Sequence, residues 1–276
     1  MSDETPAPSV RVDCLERRHD VTAPGTRVIP EETPIAFTYG GSTHAVMMAT
    51  PADLDDFAIG FALTEGLIQS GEQAGDVEIV VSEQGIELRG WLKGGRQEAY
   101  AARRRSMAGP TGCGLCGIES LEQATRALPK LDNSLRVAAG ALIEAMDKLP
   151  SAQPINQETR CVHAAAFWNP SSSALIVRED VGRHNALDKL AGALARQGVA
   201  APQGVVLMTS RVSVELVQKA AMIGVSVIAA VSAPTALAVR TAQACGMTLV
   251  AVMRGRDFEI FTRPERILEQ ASAHVA

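Results

Sequence analysis

A chain of 276 residues, 46% apolar and 21% charged, can bury one large core or two smaller ones, and its formal charge of −5 speaks against a general binder of nucleic acid or anionic membrane. Residues 1–6 hold neither a basic cluster nor an apolar run, so no export signal is visible and a cytoplasmic protein is expected. Residues 220–239 carry no charge over a length that could span a bilayer, but Gly224, Ser226, Ser232 and Pro234 divide them, which reads as buried core.

In chain order, residues 1–26 read as a polar, flexible tail that includes Cys14. Residues 34–39 and 42–49 are strand-like and flank Gly40-Gly41, a hairpin signal. A helix follows, with Thr50 as N-cap and Pro51 at its first position; Leu54, Phe57, Ala58 and Phe61 form its apolar face, and Glu65-Gly66 end it. Residues 76–82, 86–92 and 97–103 alternate as three antiparallel strands, which makes residues 27–110 a small α+β unit. A cysteine loop at 111–117 leads to linking helices at 118–128 and 135–149, within residues 118–150. The polar stretch 151–159 is the candidate hinge before an α/β unit over 151–276.

That unit opens with strands at 164–168 and 174–177 around a turn at 169–172. Strand, loop and helix then repeat, with strands at 205–208, 225–231 and 247–253 and helices at 185–196, 213–223 and up to Cys245-Gly246. Residues 258–262 close a sheet expected to be mostly parallel, and the fold class is α/β. Ligands of such sheets bind beyond the carboxyl ends of the strands, where this chain has Arg178, Glu179, Asp180, Arg183, His184, Asn185, Arg211, Ser232, Thr235, Arg254 and Arg256. Five arginines on one edge of an acidic protein call for an anion such as phosphate or pyrophosphate, helped by helix N-termini. The competing reading pairs each arginine with a surface carboxylate. His184 suits a proton shuttle, a base reader or a structural hydrogen bonder, and His163 suits a half-buried, satisfied histidine.

Five cysteines are an odd number and no disulfide framework; Cys161 and Cys245 are expected as small core residues. Thr111-Gly112-Cys113-Gly114-Leu115-Cys116-Gly117 places two thiols on a glycine-rich loop before an expected helix, with Arg103-Arg104-Arg105 upstream, a setting that favours thiolates. Half a zinc site, a dithiol couple and a nucleophilic thiolate on a mobile loop all fit this loop. The zinc deaminase order, H-x-E before P-C-x-x-C, is missing, and no second C-x-x-C is present.

Cys113-Gly114-Leu115-Cys116-Gly117, the segment 178–189, Ser232-Ala233-Pro234-Thr235 and the P-x-D-L-D-D-F-A-I-G-F-x-L-T-E-G run from Pro51 to Gly66 together resemble the formate dehydrogenase accessory sulfurtransferase family, FdhD. The resemblance covers about residues 35–262. It implies a cytoplasmic homodimer that takes persulfide sulfur from a cysteine desulfurase. It further implies delivery of that sulfur to the bis-molybdopterin guanine dinucleotide cofactor of formate dehydrogenase, for which GDP is a surrogate ligand. By the same resemblance the C-terminal layer is similar to a cytidine-deaminase fold without its zinc, so no protein-held metal is expected. Cys113 matches the persulfide cysteine, Cys116 its partner, and Val252-Met253-Arg254-Gly255-Arg256-Asp257 the cofactor-contact stretch. Arg178, Arg183, His184, Arg211 and Ser232 complete the expected cofactor site. This chain has Arg160-Cys161-Val162 where the family often has glycine before H-A-A-A. A cofactor-binding chaperone without sulfur chemistry is the alternative.

Overall fold

The computed structural model describes residues 4–93, 95, 127–132 and 134–269. Cys113, Cys116, the strand expected at 97–103 and nearly all of the helix expected at 118–128 lie outside these residues.

The expected tail is instead a hairpin of two ten-residue strands, β1 (Ser9–Arg18) and β2 (Val21–Pro30). Val10, Val12 and Cys14 alternate with polar residues at the period of a strand. His19 and Asp20 make a two-residue turn with φ of 48° and 65°, a left-handed pair of the kind that matches hairpin twist. Ser9 Oγ donates to Glu158 Oε2 at 3.2 Å, which ties the arm to the rest of the chain.

Next comes a four-stranded sheet of order β4-β3-β6-β5, from β3 (Thr33–Tyr39), β4 (Ser42–Ala49), β5 (Ala74–Ser82) and β6 (Gly85–Leu92). Gly40 and Gly41, at φ 59° and 74°, turn β3 into β4 as the sequence predicts. Helix α1 (Leu54–Thr64) covers one face, and Phe57 and Phe61 lie against Phe37 with ring centroids 4.8 and 4.0 Å apart. The helix starts at Leu54 with Asp53 as N-cap, later than expected, because Thr50 is used elsewhere: its Oγ1 accepts from Val181 N at 3.1 Å.

The second layer is a six-stranded sheet of order β13-β12-β11-β10-β8-β9. Its strands are β8 (His163–Trp168), β9 (Leu175–Asp180), β10 (Val205–Met208), β11 (Val227–Ala230), β12 (Thr248–Arg254) and β13 (Asp257–Thr262). Only β10–β11 and β11–β12 pair in parallel; β8–β9, β8–β10 and β12–β13 are antiparallel, so the sheet is mixed rather than mostly parallel. Apolar runs show burial but not strand direction, which is why periodicity did not separate the two. Helices α4 (Arg183–Arg196), α5 (Val214–Met222) and α6 (Ala236–Cys245) pack on one face, while α2 (Ala139–Lys148) packs on the other. The helix expected from residue 135 begins at Ala139, after β7 (Val137–Ala138), which pairs with β14 (Ile267–Leu268). The expected hinge is ordered: helix α3 (Pro154–Thr159) is capped by Glu179, whose carboxylate accepts from Ile155 N and Asn156 N at 2.9 and 2.8 Å. Cys245 is buried as expected; Cys161 is exposed, just ahead of β8.

The two layers meet where α1 crosses α4. A Cβ on Gly60 would lie 1.7 Å from Asp188 O, and one on Gly192 1.8 Å from Asp56 O, so glycine permits the close approach of the two backbones. Charged residues line this seam. Asp180 and Lys189, both fully buried, pair at 2.6 Å; Lys189 Nζ also donates to Thr50 O at 2.8 Å. Asp180 further accepts from Thr50 N (3.0 Å), Gly182 N (2.7 Å) and Asn185 Nδ2 (3.0 Å). Beyond them, Lys219 Nζ bridges Asp188 and Glu65 at 3.0 and 2.8 Å, and Thr64 Oγ1 donates to Asp188. Burial pushes the Asp188 carboxyl up and Lys219 opposes it.

Candidate functional site

Strands β9, β10, β11 and β12 run in one direction and β8 and β13 in the other, by the pairings above. The carboxyl ends of four strands therefore share an edge with the start of β8 at His163 and the start of β13 at Asp257. Backbone bonds stitch the loops of this edge together. Thr209 N donates to Ala164 O at 3.2 Å and Val231 N to Met208 O at 3.0 Å; Thr235 N donates to Val212 O at 2.9 Å. Three helices of nine or more residues, α4, α5 and α6, start here. Thr235 caps α6 by accepting from Ala238 N at 3.2 Å.

The structure divides the expected site residues. The Arg178 guanidinium turns to the seam, where Asp56 holds it at 2.6 and 2.8 Å and Asp53 at 3.4 Å. Asn185 and Asp180 are likewise part of the seam. Glu179 caps α3, and burial pushes its carboxyl up against the helix N–H donors. What remains on the edge is Arg183, His184, Arg211, Ser232 and the β12–β13 turn.

Arg183 is the first residue of α4, and its Nε is buried with no partner among the described residues. Burial pushes its guanidinium below the usual value; Arg211 adds to that and Glu215 opposes it. An arginine desolvated beside another arginine, with a donor unmet, is a place for an anion. Arg211, Arg254 and Arg256 are exposed, and among the described residues none of the four edge arginines forms an ion pair.

His184 sits beside Arg183, with Nε2 3.1 Å from Ser213 Oγ and 3.2 Å from Glu215 Oε2. Ser213 Oγ donates to Glu215 Oε2 at 2.8 Å. Burial, then Arg183, pushes His184 down to about 4, Glu215 acting against them, so the ring is neutral near pH 7. His163 is half-buried and also pushed down, by burial first and Arg183 second. The sequence marked Ser213 only as a helix start; its partnership with a histidine 29 residues away leaves no local signal.

The last part of the edge is the run 252–257. Val252 has φ 56°, a left-handed conformation that a β-branched residue rarely adopts, inside a register shift between Ala251 and Arg254. Met253 is buried, and the backbones of Arg254 and Asp257 stand in register across the turn Gly255-Arg256. Gly255, at φ 58°, has open space where a Cβ would project. The bulge and strained valine set the direction in which this turn leaves the sheet. Among the described residues no group of three or more His, Cys, Asp or Glu is placed to hold a metal, and no helix is long and apolar enough to cross a membrane.

A sequence profile of the FdhD/NarQ family matches residues 30–268. The chain is 56% identical over 259 residues to the sulfur carrier protein FdhD of Agrobacterium fabrum, covering 94% of this chain and 96% of that one. It is 52% identical over 245 residues to the protein of the same name from Brucella abortus, covering 88% and 91%. Its fold is similar to the crystal structure of a protein from Desulfotalea psychrophila described as a formate dehydrogenase accessory protein, with a TM-score of 0.74 at 26% identity, over 94% of this chain and 99% of that one. This chain belongs to the FdhD/NarQ family.

Proposed function

We propose that this protein is a cytoplasmic sulfur carrier for the maturation of formate dehydrogenase. Cys113 accepts sulfur from the persulfide of a cysteine desulfurase: its thiolate attacks the terminal sulfur, and the desulfurase cysteine leaves as thiolate. Cys116 assists the onward transfer. The acceptor is the enzyme's bis-molybdopterin guanine dinucleotide cofactor, held as cargo at the carboxyl edge of the six-stranded sheet, and the working form is a homodimer. The names of the relatives support sulfur transfer and the formate dehydrogenase link.

The observation that carries the cargo site is the desolvated Arg183, with its unmet Nε, beside Arg211. Phosphate oxygens answer that donor set, and the starts of α4, α5 and α6 add backbone N–H groups. Arg254 and Arg256, on a turn fixed by the β12–β13 pairing, suit a second phosphate or a nucleotide end.

Intact-mass analysis after incubation with desulfurase and cysteine tests the sulfur chemistry. A reductant-labile gain of one sulfur on wild type, abolished in Cys113→Ala and retained in a less transferable form in Cys116→Ala, is the expected result. No gain on wild type leaves a cofactor-binding chaperone.

A further inference from the structure

The three side chains His184, Ser213 and Glu215 form a closed set whose hydrogen-bond directions follow from chemistry. The Glu215 carboxylate can only accept, and it takes the Ser213 hydroxyl hydrogen at 2.8 Å. Ser213 Oγ therefore faces His184 Nε2, 3.1 Å away, with lone pairs, and Glu215 Oε2 faces the same nitrogen at 3.2 Å. Two acceptors about one nitrogen require a hydrogen on it. A lone pair there would be repelled by the carboxylate. The ring must then be either a cation or the Nε2–H tautomer. Its surroundings decide for the neutral form: burial opposes a proton first, then Arg183 on its own helix, while on α5 Glu215 favours one and Lys219 opposes it. No described residue bonds Nδ1, and the side chain stays 32% exposed.

We infer that Glu215, through Ser213, fixes His184 in the Nε2–H form so that its Nδ1 lone pair accepts a hydrogen bond from a ring N–H of a nucleobase held at this edge. The inference rests on the nucleotide reading above and adds a selection rule to it. Guanine carries a hydrogen on its pyrimidine-ring nitrogen and matches an acceptor; adenine presents a lone pair at the same atom and does not. The arginines bind the phosphates of either nucleotide, so His184 governs the choice of base and Arg183 and Arg211 the affinity common to both. Glu215 is a positioning residue in this scheme.

The experiment combines calorimetric titration of GDP and ADP with ring-nitrogen NMR of protein labelled with ¹⁵N-histidine. Wild type should show a neutral Nε2–H ring at pH 7, with the Nδ1 signal moving on addition of GDP and not of ADP. His184→Phe should lower the GDP-over-ADP affinity ratio roughly three- to ten-fold, the value of one lost hydrogen bond, with ADP binding unchanged. His184→Asn places an acceptor where Nδ1 stood and should recover part of the ratio. Glu215→Ala frees the serine hydroxyl to donate to the ring and should give mixed tautomers with an intermediate ratio. An Nδ1–H ring in wild type, or a wild-type ratio in His184→Phe, overturns the inference and leaves the nucleotide reading standing. Wild type that binds both nucleotides equally overturns the inference alone, and wild type that binds neither overturns both.

Discussion

The seam between α1 and α4 and the carboxyl edge beside it draw on the same short segment, residues 178–189, and use its charges in opposite ways. In the seam each charge is answered: Asp180 accepts from Lys189, Thr50, Gly182 and Asn185, and Arg178 is held by Asp53 and Asp56. On the edge, three residues after Asp180, Arg183 keeps a buried donor unmet beside a second arginine. Folding alone tolerates the first arrangement and gains nothing from the second, because an unsatisfied buried donor costs about 1–3 kcal/mol. Density of charge in a motif thus separates into a structural part and a ligand part only when partners are counted.

The contrast can be broken most severely at the helix crossing. Gly60→Ala puts a methyl group 1.7 Å from a backbone carbonyl oxygen that has no rotamer to escape into. The helices must part, and the expected loss exceeds about 3 kcal/mol, seen as a fall in melting temperature or as insoluble protein. A wild-type melting curve would show that the seam is not close-packed. Lys189→Met comes next. It leaves the Asp180 carboxylate in a fully buried site without its cation, at an expected cost of about 3–5 kcal/mol by chemical denaturation. A loss below about 1 kcal/mol would mean that the backbone and Asn185 donors alone satisfy Asp180.

Much of this was legible before the structure. Gly40-Gly41, the alternation in residues 42–49 and 76–82 and the strand-loop-helix rhythm after residue 200 are local signals, and the elements they mark are present. The edge residues were legible because loops after strands fall at one end of an α/β sheet. Partners were not. Arg178 reaches Asp56 across 122 residues of sequence, and His184 reaches Ser213 across 29. Those distances are set by the α1–α4 and α4–α5 packing, which no periodicity records. The β1–β2 hairpin escaped notice because its composition is polar and its turn is His19-Asp20 instead of a glycine pair. Cys161 looked like core from its apolar neighbours, but it precedes the first residue of β8 and faces solvent.

Arginine substitutions sharpen the comparison at smaller effect. Arg178→Ala should destabilise by about 1–3 kcal/mol, since it removes a charge-assisted bond from the buried Asp56, although Arg196 still holds that carboxylate at 2.8 Å. Arg254→Ala and Arg256→Ala should leave stability within about 0.5 kcal/mol of wild type, because both side chains are exposed and unpaired among the described residues. Their cost should appear in ligand binding: GDP affinity roughly ten-fold weaker at fixed salt, as for a lost charge-assisted phosphate contact. The reverse pattern, with Arg254→Ala melting early and binding normally, would exchange the roles of the two regions.

The smallest expected effect is a pH dependence that belongs to the edge and not to the seam. His184 is pushed from the ordinary 6.5 to about 4, and His163 is also pushed down, burial being the first cause of both. Between these limits the unfolded chain binds protons that the folded chain refuses, so stability rises with pH there and falls on acidification from 6.5 toward 4. The raised carboxyls of Glu179 and Asp188 act in the opposite sense, because the folded chain holds their protons more readily than the unfolded one. The readout is therefore the stability difference between wild type and His184→Asn across that range, in which the shared groups largely cancel. With the ring 32% open to solvent, the expected change in that difference between pH 7 and pH 5 is on the order of 1 kcal/mol, in favour of the variant at the acid end. A flat difference would mean that His184 titrates near its ordinary value, and a difference that favours wild type at the acid end would mean that Glu215 binds it as a cation at this edge.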